Sequence, residues 1–284
     1  MYRHGPLEPI DYLIIGHLTR DLLPGGSRLG GTAAYSSLTA RALGMRVGIL
    51  TACEDCLAAP ELESEGIQIV GMRADTTTTF ENIQTPNGRI QYLHELAPTI
   101  NLSMVPEQWL STPIVHLGPV AGEVDPTLVR AFPNSLVGLT PQGWLRTWDS
   151  EGRVSFTDWP EASFVLQHAG AAVLSIEDVR GDEGIIEEMA SSIRVLAVTE
   201  GANGARLYWN GDLRRFRPQK MEETDPTGAG DIFATAFFFR LNATRDPWEA
   251  ARFATNLAAY SVLRYGLEGV PLPDEVQAVM TEVL

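Results

Sequence analysis

The sequence has little cysteine, no run of basic residues and no long apolar stretch. Its two cysteines, Cys53 and Cys56, have no second pair at metal-ligand spacing, so a structural zinc site is not expected. A thioredoxin-like redox pair is an alternative. We expect two reduced thiols in a loop instead, because the acidic residues Glu54 and Asp55 between them disfavour a thiolate.

The charge balance limits the partners of the chain. Lys and Arg number 21 against 36 Asp and Glu, giving a formal charge of −15 over 284 residues. Such a surface repels nucleic acid. No apolar stretch approaches the length needed to span a bilayer, and a basic segment followed by an apolar one is missing from the start of the sequence. We therefore expect a cytoplasmic enzyme or binding protein, with neither nucleic acid nor membrane as a partner.

Short apolar runs recur along the chain and predict buried strands. They cover residues 10–15, 46–51, 67–71, 113–117, 136–139, 171–176 and 194–198. Segments with helical spacing lie between several of them, at 32–43 and 126–132. This alternation predicts an α/β fold with a mostly parallel central sheet flanked by helices. Neither a repeat nor a linker divides the sequence, so we expect residues 1–284 to form one domain.

Hairpin signals interrupt this alternation twice. Residues 205–209 and 213–217 flank Asn210-Gly211, a strong two-residue turn, and helices are predicted at 248–263 and 274–283. Earlier, the β-rich segments 76–85 and 89–97 are joined by Pro86-Asn87-Gly88. We expect this earlier hairpin to form a small separate sheet. His94 on it could touch a ligand, but a polar residue with its own partner in the protein is the preferred interpretation. An edge hairpin on the main sheet is the alternative.

One stretch combines small residues with a carboxylate. Gly228, Ala229 and Gly230 precede Asp231 and the apolar run 232–239, which predicts a loop that leads into a buried helix. Bare amides at a helix start attract an anion. A carboxylate beside such a site suits a base that accepts the proton of an attacking hydroxyl. An Asp that merely caps a core helix is the alternative interpretation.

The full stretch Asp225-Pro226-Thr227-Gly228-Ala229-Gly230-Asp231 resembles the C-terminal motif of the ribokinase-like carbohydrate kinases of the pfkB type. The resemblance implies a three-layer fold with a small inserted β lid, formed by segments at about 16–30 and 76–97. It also implies ATP and Mg²⁺ as cofactors. Asp231 would be the general base, and the Gly228, Ala229 and Gly230 amides would form an anion hole for the transferring phosphoryl group.

The resemblance extends to a site for the phosphoryl acceptor. Asp21 stands where family members hold sugar hydroxyls, and a carboxylate can accept two such hydrogen bonds. A solvated loop Asp is the alternative. Gly30 and Gly31 match the glycine pair that opens a helix beside the sugar. Tyr35 replaces the usual Asn, which makes ribose a less suitable substrate.

The expected metal contacts depart from the family pattern. Ser175 and Asp178 stand where the family has an Asn-x-x-Glu motif that orders magnesium and phosphates. A shorter carboxylate can still order waters around Mg²⁺, which keeps much of its hydration shell. Asp225 matches a residue associated with a monovalent-cation site, such as one for K⁺, in several relatives.

The nucleotide site follows from the same resemblance. Thr199, Gly201 and Gly204 match the nucleotide-binding turn, at the carboxyl end of a buried strand where open α/β sheets bind ligands. Asn256 matches a position near the adenine. Arg146 is a candidate phosphate or lid contact, with a surface arginine as the default.

These features predict an ATP-dependent kinase of a small sugar or polyol, and several segments look most like the inositol-kinase-like branch. A catalytically weak nucleotide- or sugar-binding protein of the same fold and a nucleoside kinase are the alternatives. A dinucleotide-dependent dehydrogenase would need Gly-x-Gly-x-x-Gly after the first strand, which Gly16-His17-Leu18 does not supply. We expect a monomer, or a homodimer formed through the lid.

Overall fold

The fold is built from two sheets of unequal size and a short hairpin. The computed structural model describes residues 2–3, 6–55, 59–85 and 88–282. In chain order their strands are β1 (Tyr2–Arg3), β2 (Tyr12–Ile15), β3 (Thr19–Leu23), β4 (Gly26–Gly30), β5 (Val47–Cys53), β6 (Gln68–Arg73), β7 (Thr79–Thr85), β8 (Gly88–Glu95), β9 (Ile114–Leu117), β10 (Leu136–Leu139), β11 (Arg146–Trp148), β12 (Val154–Phe156), β13 (Ala171–Ser175), β14 (Val195–Thr199), β15 (Ala205–Trp209) and β16 (Asp212–Phe216).

The large sheet has ten strands in the order β1-β6-β5-β2-β9-β10-β13-β14-β15-β16. From β6 to β14 all neighbours pair in parallel, whereas β1 at one edge and the β15–β16 hairpin at the other pair antiparallel. Parallel strands need cover on both faces, which is why their sequences are continuous apolar runs. The mostly parallel sheet and the late hairpin are thus confirmed.

Helices cover both faces of this sheet. They are α1 (Thr32–Ala42), α2 (Pro60–Glu63), α3 (Ala162–His168), α4 (Glu183–Ser192), α5 (Ala229–Thr244), α6 (Pro247–Ser261) and α7 (Pro273–Glu282). One core cluster joins α1, α5 and α6 to the sheet, and a second lies on the other face with α3 and α4. The three-layer fold is confirmed. The helix expected at 126–132 is only a 3₁₀ helix, Pro126–Arg130, and Pro133 disfavours helical backbone at Phe132.

The small sheet has the order β4-β3-β7-β8 and is separate from the large one. The predicted β7–β8 hairpin in a small separate sheet is therefore confirmed. The alternative, a hairpin on the edge of the main sheet, is wrong. Pro86 and Asn87 of its turn lie outside the described residues. The short β11–β12 hairpin was not predicted, and it lies against β8, where the amide of Leu93 donates to the carbonyl of Gly152 at 2.8 Å.

One face of the small sheet packs on the body of the protein. Phe80 and Leu93 lie opposite each other on β7 and β8 and are buried against Val120 and Ala121. Asp21 on β3 pairs with Phe80 and therefore shares this face. His94 is exposed and pairs with Glu81 through Nε2 and Oε2 at 2.9 Å, in agreement with the preferred interpretation of a polar residue that has its own partner.

Two further findings concern the cysteines and membranes. Cys53, at the end of β5, is disulfide-bonded, which contradicts the expectation of reduced thiols. Cys56 lies outside the described residues. Within the described ranges, none of the helices has the length and apolar character needed to cross a bilayer.

Candidate functional site

Two helix N-termini meet beside the central strands. Helix α1 begins at Thr32, directly after Gly31, and α5 begins at Ala229, directly after Gly228. The buried side chain of Thr32 donates a hydrogen bond to the carboxylate of Asp231 in the first turn of α5. The glycine pair and the glycine-rich loop, which are far apart in sequence, are therefore joined at one place.

Any residue with a side chain would be strained at the position of Gly228. Its φ is +82°, and a Cβ atom there would lie 2.2 Å from the ring of Tyr35. Tyr35 is buried and forms the floor under the loop. Gly228 is itself partly exposed, so its bare backbone can be approached by a ligand.

The amides of this loop are not all equivalent. The amide of Ala229 donates to the carbonyl of Pro226 at 3.2 Å, so one member of the predicted anion hole already has a partner. Gly230 is exposed and Asp231 follows it in the first helical turn, where amides have no preceding helical carbonyl to bind. The positive end of the α5 dipole therefore faces solvent beside Asp231.

Asp231 has the properties of a base. The side chain is half-buried, and surrounding protein atoms desolvate it, which raises the pKa of its carboxyl to about 6. The hydrogen bond from Thr32 and the charge of Arg146 act in the opposite direction, while Asp178 and Asp21 add to the rise. The carboxylate can accept a proton near neutral pH.

Asp21 is a buried carboxylate on the face of the small sheet that packs on the body. Thr19 donates to its Oδ1 at 3.2 Å, and desolvation raises the pKa of its carboxyl. A Cβ on Gly30 would lie 2.5 Å from Oδ2 of Asp21, and one on Gly31, where φ is +84°, 2.8 Å from the carbonyl oxygen of His17. The glycine pair thus makes room for the carboxylate of Asp21 and for the turn into α1.

Tyr35 and Arg28 lie in the same region. The hydroxyl of Tyr35 is buried and has no partner among the described atoms, and burial raises its pKa. The charges of Arg28, Asp231, Asp21 and Asp225 all act on it. A buried hydroxyl without a partner is costly, so this hydroxyl is available to a polar ligand. Sequence reasoning missed Arg28 because nothing in its local sequence marks it.

The residues predicted to bind magnesium and the nucleotide lie at the carboxyl ends of β13 and β14. Ser175 and Thr199 are direct neighbours in the parallel register. Asp178 accepts a hydrogen bond from the Ser175 amide at 2.8 Å and one from Nε2 of Gln142 at 2.7 Å. Gln142 was another residue that the sequence did not reveal as part of the site.

The predicted nucleotide turn is a sharp one. Gly201 and Gly204 have φ of +56° and +93°, and a Cβ on Gly204 would lie 2.0 Å from the carbonyl oxygen of Phe216. Gly204 is thus required by the turn itself, whether or not a nucleotide binds there. Asn256 is half-buried on α6.

Arg146 connects the small sheet with the site. Its Nη1 donates to the carbonyl of Val120 at 2.9 Å, and its guanidinium lies 5.8 Å from the ring centre of Phe80. Desolvation lowers its pKa to about 10, so it remains charged at neutral pH, and the charges of Asp178 and Asp231 act on it. A surface arginine, the default reading of the sequence, is therefore wrong.

Asp225 is held by several donors. Its Oδ1 accepts from the amide of Thr227 at 3.0 Å and from the Thr227 hydroxyl at 2.6 Å, and its Oδ2 accepts from the Gly266 amide at 3.0 Å. Desolvation pushes its pKa up, but the bonds from Thr227 and Gly266 and the charge of Arg28 outweigh it, and the pKa lies below the ordinary value.

A buried chain of hydrogen bonds supports the site from below. His116 Nε2 lies 2.8 Å from the hydroxyl of Thr140, and His116 Nδ1 lies 2.8 Å from that of Tyr12. The Tyr12 hydroxyl contacts Thr235 Oγ1 at 3.3 Å, and Thr235 donates to the carbonyl of Asp231 at 2.9 Å. Strands β2 and β9, and Thr140 directly after β10, are thereby linked to the first turn of α5.

Other features of the described residues do not compete with this site. A cavity of about 470 Å³ opens near Leu136, Gly170 and Val195, at the amino ends of their strands and away from Asp231. Among the described residues there is no cluster of three or more His, Cys, Asp or Glu side chains that could hold a metal ion by itself.

Comparisons with known proteins find carbohydrate kinases. Residues 158–275 match the family described as pfkB family carbohydrate kinase. The chain is 26% identical over 298 residues to inositol 3-kinase of Oryza sativa subsp. japonica, covering 96% of this chain and 73% of that relative.

Solved structures share the fold. A pyrophosphate-dependent kinase in the ribokinase family, in a sulfate complex, has a TM-score of 0.80 at 20% identity, covering 94% of this chain and 99% of that one. Ribokinase from Thermotoga maritima has a TM-score of 0.74 at 19% identity, covering 96% and 99%. The chain therefore has the ribokinase fold, and its residues 158–275 are similar to the pfkB family carbohydrate kinases.

Proposed function

We propose that this protein is an ATP-dependent kinase that transfers the γ-phosphoryl group to a hydroxyl of a small sugar or polyol. The observation that carries the proposal is the position of Asp231. Its carboxyl, with a pKa raised to about 6, stands in the first turn of α5 next to amides that have no helical partner.

Asp231 is the proposed general base. The acceptor hydroxyl attacks the γ-phosphorus, the bond from that phosphorus to the bridging oxygen of ADP breaks, and the hydroxyl proton passes to the Asp231 carboxylate. Because phosphoryl transfer passes through a loose transition state, the proton leaves late and an ordinary carboxylate suffices. Thr32 donates a hydrogen bond to that carboxylate and would hold it in position for the acceptor.

Transfer also requires that the negative charge on the phosphoryl oxygens be stabilised. The Gly228 loop and the positive end of the α5 dipole would stabilise the equatorial oxygens, with the guanidinium of Arg146 nearby. Asp178 is the proposed contact to hydrated Mg²⁺, and a single carboxylate fits because Mg²⁺ keeps most of its waters and is held largely by phosphates. When bound, Mg²⁺ supplies charge neutralisation on the donor phosphates.

The acceptor pocket favours a polyhydroxylated ring. Asp21 can accept from two hydroxyls, and the Tyr35 hydroxyl has no partner among the described atoms. Resemblance to an inositol 3-kinase supports a cyclic polyol as the first acceptor to test. Ribose, fructose and nucleosides complete the panel, and a nucleoside as the best acceptor would replace this substrate assignment.

The decisive experiment is the Asp231→Asn variant. We expect kcat to fall by about 10²–10⁴, the usual contribution of a positioned base, while the Kd for an ATP analogue measured by titration calorimetry stays the same. Both ATP and pyrophosphate are tested as phosphoryl donors. The matched control is Asp149→Asn, because Asp149 is an exposed Asp in the β11–β12 turn.

Two results would contradict the proposal. Phosphoryl transfer by Asp231→Asn near the wild-type rate would exclude Asp231 as the base. Calorimetric binding of donor and polyol by the wild-type chain, without transfer to any member of the panel, would favour the alternative of a non-catalytic binding protein.

A further inference from the structure

Arg28 lies between two carboxylates that belong to different parts of the molecule. It is on β4 of the small sheet, directly opposite Asp21, and its Nε is 4.0 Å from Oδ2 of Asp21. Its Nη1 is 3.7 Å from Oδ2 of Asp225, in the loop that leads to α5. Arg28 thus joins the acceptor carboxylate to the loop of the proposed anion hole.

The guanidinium is confined at this position. Its Nε is buried without a hydrogen-bond partner among the described residues, and a Cβ built on Gly266 would lie 3.1 Å from its Nη1. The backbone at Gly266 has a φ of +53° and donates its amide to the same Asp225 carboxylate. Arg28, Asp225 and Gly266 therefore form one packed group.

The resemblance to ribokinase-like kinases gives Asp225 a role at a monovalent-cation site, and the residues present do not fit that role. Thr227 donates twice to Oδ1 of Asp225, and Gly266 donates to Oδ2. The guanidinium of Arg28 then supplies the positive charge beside Oδ2. A K⁺ ion at this carboxylate would meet both this like charge and donors that already occupy the oxygens.

We propose that Arg28 is the resident cation of this site, so that the reaction needs no K⁺, and that it positions Asp21 relative to the Gly228 loop. A covalently attached guanidinium is always charged and cannot dissociate. Because it contacts both carboxylates, it fixes the acceptor pocket against the proposed anion hole when the small sheet packs on the body. The positioning role rests on the proposed kinase function, whereas the cation role does not.

The first test needs no substrate. The melting temperature of the full chain is measured in chlorides of K⁺, Na⁺, Cs⁺ and tetramethylammonium at equal ionic strength. A cation that binds only the folded state raises Tm with concentration, so we expect the four curves to agree within about 1 °C. A saturable rise of Tm that is specific for K⁺ would overturn the proposal, whatever the chain phosphorylates.

The second test uses kinetics with the acceptor that the panel identifies. We expect wild-type kcat to vary by less than about threefold among the four salts, and a larger activation by K⁺ would count against the proposal. Arg28→Met should lower kcat/KM for the acceptor by about tenfold or more, and Arg28→Lys should restore part of it. An Arg28→Met variant with wild-type kcat/KM would overturn the positioning role.

A matched control separates this role from a general effect of charge on the small sheet. Arg20 lies on the neighbouring strand β3, and its ion pair with Glu54, at 3.8 Å, is exposed. Arg20→Ala removes the same charge without touching Asp225, so its kcat/KM should stay within about twofold of wild type. A loss as large as that of Arg28→Met would instead attribute the effect to net charge, against the proposal.

Discussion

Asp231 is placed where its own charge is unfavourable. Desolvation by burial, together with the charges of Asp178 and Asp21, raises the pKa of its carboxyl to about 6, and Thr32 and Arg146 oppose this rise. A carboxylate in that position is a stronger base than one in water, because protonation relieves both the desolvation and the repulsion. The same environment that disfavours the charge therefore suits the proposed chemistry.

The raised pKa of Asp231 predicts how kcat/KM depends on pH. The base acts only when deprotonated, so we expect log kcat/KM to fall with a slope of one as the pH drops below about 6. The measurement is kcat/KM for the acceptor between pH 5 and 9 with donor and Mg²⁺ saturating. Asp231→Asn is the control, since its residual rate should lack this limb.

A wild-type profile that stays flat down to about pH 4.5 would contradict the assignment, because an unperturbed carboxyl titrates near that value or below it.

The raised pKa of Asp231 also affects folding stability, which changes with pH in the opposite direction to activity. The protonated form is favoured in the folded state, so the stabilising contribution is complete below the unfolded pKa of about 3.8 and is lost as the pH rises through about 6.

The small sheet acts on the site through few contacts. Phe80 and Leu93 pack on Val120 and Ala121, and Arg146 lies between Phe80 and the carbonyl of Val120. This cluster has fewer buried residues than either core cluster of the large sheet, so we expect the small sheet to separate from the body more readily than the helices that cover the large sheet. Its role as a lid over the acceptor is a proposal that these contacts support.

Phe80→Ala should therefore affect binding more than chemistry. The variant removes a buried ring that seats the small sheet, and we expect KM for the acceptor to rise by about tenfold, with a much smaller change in kcat. Ile83→Ala is the matched control, because Ile83 lies on the same strand but is 41% exposed. Equal acceptor KM values for the two variants, measured under the same conditions, would show that the small sheet does not close over the acceptor.

Across the whole molecule, the site is tied to the core by the hydrogen-bond chain through His116. Its two ring nitrogens have hydroxyl partners, Thr140 and Tyr12, and burial lowers its pKa to about 3. His116 is therefore neutral in the folded protein, whereas in the unfolded chain it titrates near 6.5. Its contribution to stability is complete above that pH and is lost as the pH falls toward about 3.

We expect Tm to decline between pH 7 and pH 4 partly because of this residue. His116→Gln should be less stable than wild type at pH 8, because Gln does not reproduce both bonds, but its Tm should fall less steeply on acidification. His168→Gln is the control, since His168 is exposed at the end of α3. Parallel Tm curves for wild type and His116→Gln would exclude His116 as a source of acid sensitivity.

How much of this could be read from the sequence depends on the range of the interaction. The parallel strands were predictable because burial on both faces requires apolar runs, and the Gly228–Asp231 stretch because its residues adjoin one another. The pairing of Arg28 with Asp225 was not, since it joins the small sheet to a loop far along the chain. The β11–β12 hairpin could not be predicted for a similar reason, because its strands are short and its position depends on a contact with Leu93.

The contact between Gly228 and the ring of Tyr35 limits how the enzyme can be redesigned. If Tyr35 recognises the acceptor, exchanging it for a smaller side chain to admit another sugar would also remove the ring that packs against the Gly228 loop. Acceptor preference and turnover would then decline together, and recovery would require a compensating bulky group from α1. Libraries that aim at new acceptors are therefore better built around Asp21 and the inner face of the small sheet, with the aromatic ring left in place.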